Sequence, residues 1–210
     1  MEKKQPIQSS LKVLRKNHRF APLIYKHGPP DLSRGKNPFK ALARSIIYQQ
    51  LSGKAAGTIY NRFVSLFGDR KRFPTPQEVS EVSVKKLRSA GLSAQKSTYL
   101  HDLAKKFSDG TINYRGLGRM TNEEIVEHLI QIKGVGEWTI HMFLIFTLNR
   151  TNILPTGDLG IRKGFQIVYR LKTLPDKAKM EQIALPWREH ATVASWYLWK
   201  AADEIKASSA

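Results

Sequence analysis

The chain has 210 residues, of which 41% are hydrophobic and 10% aromatic, so it can form a core in one large domain or two small lobes. Lys and Arg number 35 against 17 Asp and Glu, a net charge of +18, which favours a polyanionic partner, nucleic acid before an acidic membrane surface. Short apolar runs exclude a membrane span, the charged N-terminus predicts no secretory signal, and the lack of cysteine excludes disulfides and thiolate metal sites.

Apolar residues recur at helical spacing along most of the chain, so we predict an all-α fold with short connections. Residues 1 to about 10 are expected to be a frayed tail, and residues 151–156 (TNILPT) could form a short extended piece. Residues 38–68 predict either one long helix or two helices broken at Ser52-Gly53. Residues 73–91 predict a Pro-rich turn followed by short helices. The other predicted helical segments are 11–28, 94–110 capped by Ser93, a helix opened by a Thr121–Glu124 capping box and ending at Ile132, helices from about Glu137 and from Leu159, and a long closing helix within 177–207.

The stretch IKGVGEWTIHMF, Ile132–Phe143, places two glycines at the mouth of a helix. A helix ending at Ile132, a turn through Gly134 and Gly136, and a new helix from about Glu137 form a helix–hairpin–helix. The glycines let backbone N–H groups approach a ligand at a helix N-terminus, where the dipole favours anions. The pattern therefore predicts a binding site for a DNA phosphate, while an ordinary turn between two helices remains the alternative.

Four other segments carry the same family resemblance as this hairpin. They are LPTGDLGIRKGF, which contains Asp158, and PFKALARSIIYQQLSGKAA, LRSAGLSAQKSTYLHDLA and LPWREHATVASWYLW. Together with the hairpin they resemble the helix–hairpin–helix DNA glycosylase superfamily from roughly Pro38 to Trp199. Within that superfamily the chain is most similar to the alkylpurine branch, the DNA-3-methyladenine glycosylase II type, in the compact form without an extra N-terminal β-domain.

The resemblance implies an architecture of two helical lobes that flank a DNA-binding cleft. Residues 1–36 and 148–210 would form one lobe, and residues 37–147, ending in the hairpin at 132–143, would form the other. The implied activity is that of a monofunctional hydrolase in base excision repair. It would flip an alkylated purine, of the 3-methyladenine or 7-methylguanine type, out of duplex DNA and cleave its glycosidic bond. The implied state is a monomer with no membrane partner, bound to double-stranded DNA that carries an alkylated base or an abasic site.

By the same resemblance, Asp158 is the catalytic residue. Departure of the base leaves an oxocarbenium-like sugar, and a carboxylate aimed at the developing charge stabilises the transition state and can orient or deprotonate water. Taken alone, an Asp before Leu159 also fits an ordinary helix N-cap. The two roles are compatible.

The base pocket implied by the resemblance contains Trp138, Met142 and Trp196. Bifunctional members carry a lysine nucleophile where Trp138 stands, and an indole cannot form a Schiff base, so hydrolysis without lyase activity is expected. An indole face also attracts a cationic alkylpurine. Met142 stands where well-known members have an aromatic residue, which predicts a weaker cage. Trp196 is either a second aromatic wall or a core residue.

The loop Gln49, Gln50, Leu51 and Ser52 resembles the wedge that fills the gap left by a flipped base. Gln50 or Leu51 would enter the base stack from the minor groove; the alternative is a helix end with Leu51 buried. Gly53 offers no side chain to the opposite strand. The candidate phosphate contacts are Gly134, Val135, Gly136 and Thr139 of the hairpin, and four cations that could equally be solvated charges: Lys54, Lys133, Arg162 and Lys163.

No cofactor is expected, because the six histidines include no HxxxH or HExxH pair that would hold a catalytic metal. A structural monovalent cation at the hairpin is left open. Two other functions are also kept: a weak or inactive glycosylase-like protein that binds abasic or distorted DNA, favoured by Met142 and Gly53, and a scaffold subunit that binds duplex DNA non-specifically. The substrate implies a nuclear location in a eukaryote, and the nucleoid or cytoplasm otherwise.

Overall fold

The structure is a computed structural model and describes residues 7–32, 35, 37–68 and 72–208, with side chains described as far as Ile205. Within these ranges every regular element is a helix and none is a strand, so the predicted all-α class is confirmed. The residues TNILPT form no strand. None of the described helices is long and apolar enough to cross a membrane.

The helices follow the order predicted from the apolar periodicity. They are α1 (Ile7–Leu14), α2 (Ala21–His27), α3 (Pro38–Tyr48), α4 (Gly53–Ser65), α5 (Pro76–Glu81), α6 (Val84–Arg88), α7 (Ala94–Ser108), α8 (Asn122–Leu129), α9 (Glu137–Phe146), α10 (Leu159–Tyr169), α11 (Lys177–Ala184) and α12 (Ala191–Ser208), with a 3-10 helix, Leu185–His190, before α12.

The chain divides into two compact units. The first comprises Gly35–Phe143 and contains α3 to α8 and the beginning of α9, whereas the second joins α1 and α2 to the residues from Leu144 onward. Each unit has a hydrophobic core of its own. The expected lobes 1–36, 37–147 and 148–210, and the cleft that they would flank, stay a prediction.

Helix α7 organises the first unit, because α3, α5 and α6 all pack against it. Its buried face includes Leu100, Leu103 and Phe107, and the Phe107 ring lies 5.5 Å from the ring of Phe39 in α3. Burying these apolar faces together is the main force that holds short helices in place. The packing therefore fixes α3 beside α7.

In the second unit, α10 packs closely against α12. Gly164 on α10 sits so near the α12 backbone that a Cβ atom there would lie 2.3 Å from the carbonyl oxygen of Leu198. Phe165 follows on the buried side of α10 and stacks on Trp187, with ring centroids 5.9 Å apart. The close approach sets α10 at a fixed distance from α12.

The single helix predicted over residues 11–28 is wrong, because the structure has two helices there. Helix α1 ends at Leu14, and α2 begins at Ala21. Asn17 turns the chain by accepting the N–H of Arg19 at 2.9 Å. Pro22 lacks an N–H, and its ring clashes with a helical carbonyl four residues earlier, so it can stand only in the first turn of a new helix.

Two other boundary predictions have clear outcomes. The segment 38–68 forms two helices, and Ser52 caps the second by accepting the N–H of Ala55. The frayed tail predicted to about residue 10 is wrong from Ile7, where α1 begins and soon buries Leu11. The rest of that predicted tail, residues 1–6, lies outside the described residues.

Gly164→Ala should destabilise the protein, because the new methyl group would meet the α12 backbone and not a flexible side chain. We expect a loss of about 1–3 kcal/mol in the free energy of unfolding, measured by chemical denaturation. Gly118→Ala is the matched control, since its Cβ would meet nothing within 4 Å. Equal stability of the two variants would contradict the described packing of α10 on α12.

Candidate functional site

The glycine hairpin connects α8 to α9 in the first unit. Its second helix begins at Glu137, as predicted, whereas α8 ends at Leu129, three residues before the predicted Ile132. Gly134 has φ +78°, and a Cβ atom there would lie 2.0 Å from the ring of Tyr99 on α7. Only glycine fits both the backbone angle and the contact with Tyr99.

The hairpin offers fewer N–H groups to a ligand than its sequence suggested. The N–H of Lys133 donates to the Asp102 carboxylate at 2.9 Å, and that of Val135 donates to the carbonyl of Ile132 at 3.1 Å. Within the described chain, the N–H groups of Gly134 and Gly136 donate to no acceptor. The donors left for the predicted phosphate site are therefore the N–H groups of Gly134 and Gly136 and those of the first turn of α9.

Thr139 belongs to this first turn, where a helix exposes N–H groups that have no helical partner. The residue as a whole is buried, with 4% of its surface exposed. Little of Thr139 is therefore accessible to a phosphate, and a contact at this residue stays a prediction.

The wedge loop, residues Gln49–Ser52, joins α3 to α4 in the same unit. The side-chain amide of Gln49 donates to the carbonyl of Gly134 at 2.8 Å, which ties the loop to the hairpin. Gln49 thus faces its own protein and anchors the loop. Gln50 and Leu51 lie on the outside, and Leu51 is 39% exposed, so the alternative of a buried Leu51 is wrong.

Lys96 on α7 holds the other side of this loop. Its ammonium group donates to the carbonyl of Ile47 at 2.8 Å and to that of Gln49 at 2.6 Å. Both carbonyls come at the end of α3, where helical carbonyls lack partners and a cation is favoured. Burial lowers the pKa of Lys96, which fits an ammonium group that has exchanged water for protein carbonyls.

Gln50 has a strained backbone. Its φ of +57° lies in the left-handed region, which costs a side chain other than glycine about 1–2 kcal/mol. Gln49 and Lys96 fix the loop just before this residue. Strain held in place by surrounding contacts is often found where a loop must present a side chain to a ligand.

Trp138 projects from the first turn of α9 with 47% of its surface exposed, so it is not a core residue. Met142 lies one turn further along the same helix and is half-buried. Side chains four residues apart share a helix face. The structure therefore brings Trp138 and Met142 together as one apolar surface beside the hairpin.

Asp158 lies in the second unit as the N-cap of α10. Its Oδ1 accepts the N–H of Ile161 at 2.9 Å, the capping bond expected from the sequence. The same oxygen accepts the indole Nε1–H of Trp199 at 2.9 Å. The carboxylate is half-buried and is held by both the backbone of α10 and a side chain of α12.

Trp196, the third predicted pocket residue, is also half-buried in the second unit. The Lys200 ammonium lies over its ring at 5.0 Å from the centroid, and the rings of His27 and Tyr197 meet it edge-on. The ring thus already has a cation contact within the protein. A role as a base wall would have to use the part of the indole that Lys200 leaves uncovered.

The four predicted cations differ in their surroundings. Lys54, Lys133 and Lys163 are exposed. Arg162 is half-buried, and its Nε donates to the carbonyl of Pro175 at 3.0 Å. The three lysine side chains are therefore accessible to a phosphate. One edge of the Arg162 guanidinium already donates to the Pro175 carbonyl.

Known proteins match the chain over most of its length. A family description, HhH-GPD superfamily base excision DNA repair protein, matches residues 43–189. The chain belongs to this superfamily. Its recognition as a helix–hairpin–helix DNA glycosylase-type protein and its helical fold are thereby confirmed.

Individual proteins match most of the chain. DNA-3-methyladenine glycosylase 1 of Schizosaccharomyces pombe is 39% identical over 186 residues, which cover 87% of this chain and 80% of that protein. An alkylbase DNA glycosidase-like protein of the same yeast, mag2, is 33% identical and covers 88% of both chains. A solved structure of the S. pombe 3-methyladenine DNA glycosylase Mag1 in complex with abasic DNA superposes with a TM-score of 0.78, at 35% identity over 92% of this chain and 95% of that one.

Three residues that contact predicted site residues were not singled out from the sequence. Lys96 and Tyr99 stand in the segment that carried the family resemblance, so the pattern marked their position but not their contacts. Trp199 follows Trp196 in the closing helix, yet nothing in the sequence shows that its N–H meets a carboxylate 41 residues earlier.

No group of three or more metal-binding side chains occurs among the residues that the structure describes.

Lys96→Met should loosen the wedge loop, because methionine keeps the apolar stem but leaves the carbonyls of Ile47 and Gln49 without their donor. We expect a loss of about 1–3 kcal/mol in the free energy of unfolding. Amide hydrogen exchange should become faster at residues 49–52. Lys105→Met, an exposed change on the same helix, is the control, and unaltered exchange in the loop of the Lys96 variant would contradict the anchoring role.

Proposed function

We propose that this HhH-GPD protein is a monofunctional DNA glycosylase that removes alkylated purines, of the 3-methyladenine and 7-methylguanine type, from duplex DNA in base excision repair. The observation that carries the proposal is the exposed indole of Trp138 directly after the glycine hairpin. An indole at this position would present an aromatic face, and no amine, to a base bound beside the hairpin. The names of the relatives, DNA-3-methyladenine glycosylases, support the same activity.

In the proposed reaction, Asp158 acts on the sugar. As the glycosidic bond lengthens, positive charge develops on the deoxyribose, and a fixed carboxylate stabilises it more strongly than mobile water could. The carboxylate also directs water to the sugar carbon and can take its proton. Its N-cap bond and its bond with Trp199 keep Oδ1 in place, so little reorganisation is needed when the charge appears.

Trp138 would recognise the base by its charge. Alkylation at N3 or N7 makes the purine cationic, and a cation over an indole face gains about 0.5–2 kcal/mol. Met142 adds a polarisable apolar surface beside it but no second ring. Because an indole forms no Schiff base, the sugar would be released as an intact abasic site.

The DNA would be held through its phosphates and opened by the wedge loop. The N–H groups of Gly134 and Gly136 lie at the positive end of α9 and suit a phosphate oxygen. Gln50 or Leu51 would occupy the gap left by the flipped base, with Gln49 as the anchor. The exposed Lys54, Lys133 and Lys163 would add contacts to the backbone, and all of these contacts should weaken as salt is raised.

A second candidate function is a glycosylase-like protein that binds abasic or distorted DNA but releases bases slowly or not at all. Met142 in the place of an aromatic residue and the bare Gly53 after the wedge loop favour it. One relative is itself named glycosidase-like. Both functions imply action on DNA; a nuclear or nucleoid location remains part of the proposal.

Asp158→Asn tests the proposed chemistry without removing the helix cap, because Asn caps a helix as well as Asp does. The neutral amide cannot balance a developing positive charge, so single-turnover release of 7-methylguanine should fall by about 100-fold or more. Affinity for an abasic duplex should be retained. Release as fast as in the wild type would exclude Asp158 as the catalytic residue.

Trp138→Ala tests recognition of the cationic base. Excision of 7-methylguanine should fall by about 2- to 30-fold, the factor that corresponds to a lost cation–π contact of about 0.5–2 kcal/mol. Binding to an abasic duplex, which has no base to recognise, should change much less. Loss of both to the same extent would instead point to a folding defect or a general role in DNA binding.

A further inference from the structure

We propose that Trp199 is the positioning residue for the Asp158 carboxylate; the proposal rests on the proposed catalytic role of Asp158. Two N–H donors converge on Asp158 Oδ1, the backbone N–H of Ile161 and the indole N–H of Trp199, each at 2.9 Å. A carboxylate held by a single hydrogen bond can still rotate about that hydrogen bond. Two donors from different helices fix its plane, and with it the direction in which Oδ2 points.

The chain is shaped for this contact at Gly160. A Cβ atom there would lie 2.9 Å from Cδ1 of Trp199, 3.3 Å from its Nε1 and 3.0 Å from Oδ1 of Asp158. A side chain at this position would therefore displace the indole, the carboxylate or both. Gly160, the second residue of α10, therefore has no side chain at the point where Trp199 meets Asp158.

The indole is itself held in place. Phe146 stacks on Trp199, with ring centroids 6.1 Å apart and planes 23° apart. The helix that carries Trp199 is fixed against α10 by the close approach of Gly164 to the Leu198 backbone. Trp199 thus reaches Asp158 from a rigid support, which is what a group that orients a catalytic residue requires.

The chemistry of the donor suits the reaction. An indole N–H only donates and carries no charge. A lysine or arginine at this place would orient the carboxylate but would also offset the negative charge that must face the oxocarbenium-like sugar. Trp199 orients Asp158 without adding a positive charge beside it.

Trp199→Phe removes the donor and keeps an aromatic ring for Phe146. Single-turnover release of 7-methylguanine should slow by about 10- to 100-fold, the usual effect of a misplaced catalytic group. Affinity for an abasic duplex should stay within about twofold of wild type, since the contact acts on chemistry and not on binding. Combined with Asp158→Asn, the substitution should cause no further slowing, because its effect passes through that carboxylate.

Gly160→Ala gives a second route to the same contact without changing either partner, and alanine is well tolerated in a helix. It should slow release in the same direction. Trp187→Phe is the matched control, since it removes an indole N–H that donates to the Tyr169 hydroxyl at 3.1 Å in the same unit. Its release rate should equal that of the wild type.

Three results would overturn the proposal. Wild-type release by both Trp199→Phe and Gly160→Ala would show that the contact does not position the carboxylate. A parallel loss of release and abasic binding would assign Trp199 to the fold or to DNA binding. Fast release by Asp158→Asn would remove the proposed function's mechanism and the positioning role together, whereas slow release by Asp158→Asn with normal release by Trp199→Phe would remove the positioning role alone.

Discussion

The bonds to Asp158 Oδ1 are the constraint around which the second unit is arranged. To place an indole N–H and a backbone N–H on one oxygen, α12 must lie close against α10, and two glycines of α10 make that approach sterically possible. A carboxylate in water turns freely and reorients with its solvent. In the folded chain two hydrogen bonds set its direction, which is the condition under which the proposed catalytic carboxylate would lower a barrier most effectively.

In the first unit, side-chain contacts hold two short loops, the wedge loop and the glycine hairpin, in fixed positions. One face of α7 does so with three side chains spaced three residues apart. Lys96 binds the wedge loop, Tyr99 fills the space under Gly134, and Asp102 accepts the N–H of Lys133. Gln49 then joins the wedge loop to the hairpin directly. The proposed entry of the wedge loop into a base stack would need such rigid support.

Much of this could be predicted from the sequence, because it depends on local patterns. Periodic apolar residues identified the helices, the Thr121–Glu124 capping box formed as expected, and the glycine hairpin and the superfamily were recognised from short motifs. The break between α1 and α2 was missed because the turn at Asn17 and the effect of Pro22 were outweighed by the apolar spacing on either side.

The contacts of the site could not be predicted, because they join residues that are far apart along the chain. Nothing local to Trp199 shows that it meets Asp158, or that Gly160 leaves room for it. The hairpin N–H groups looked equivalent in sequence, yet Lys133 and Val135 already donate to internal acceptors. Which side chains are engaged inside a protein depends on packing between elements, which residue spacing does not determine.

The most direct test of the account is to identify the products that the wild-type chain makes from a duplex carrying one 7-methylguanine. Under single-turnover conditions, we expect free 7-methylguanine and an unbroken strand with an abasic site, and no covalent protein–DNA adduct after borohydride treatment. Absence of base release would contradict the proposed catalysis and favour the abasic-DNA binder. A trapped adduct would contradict hydrolysis without a protein nucleophile and would require an amine that the exposed Trp138 cannot supply.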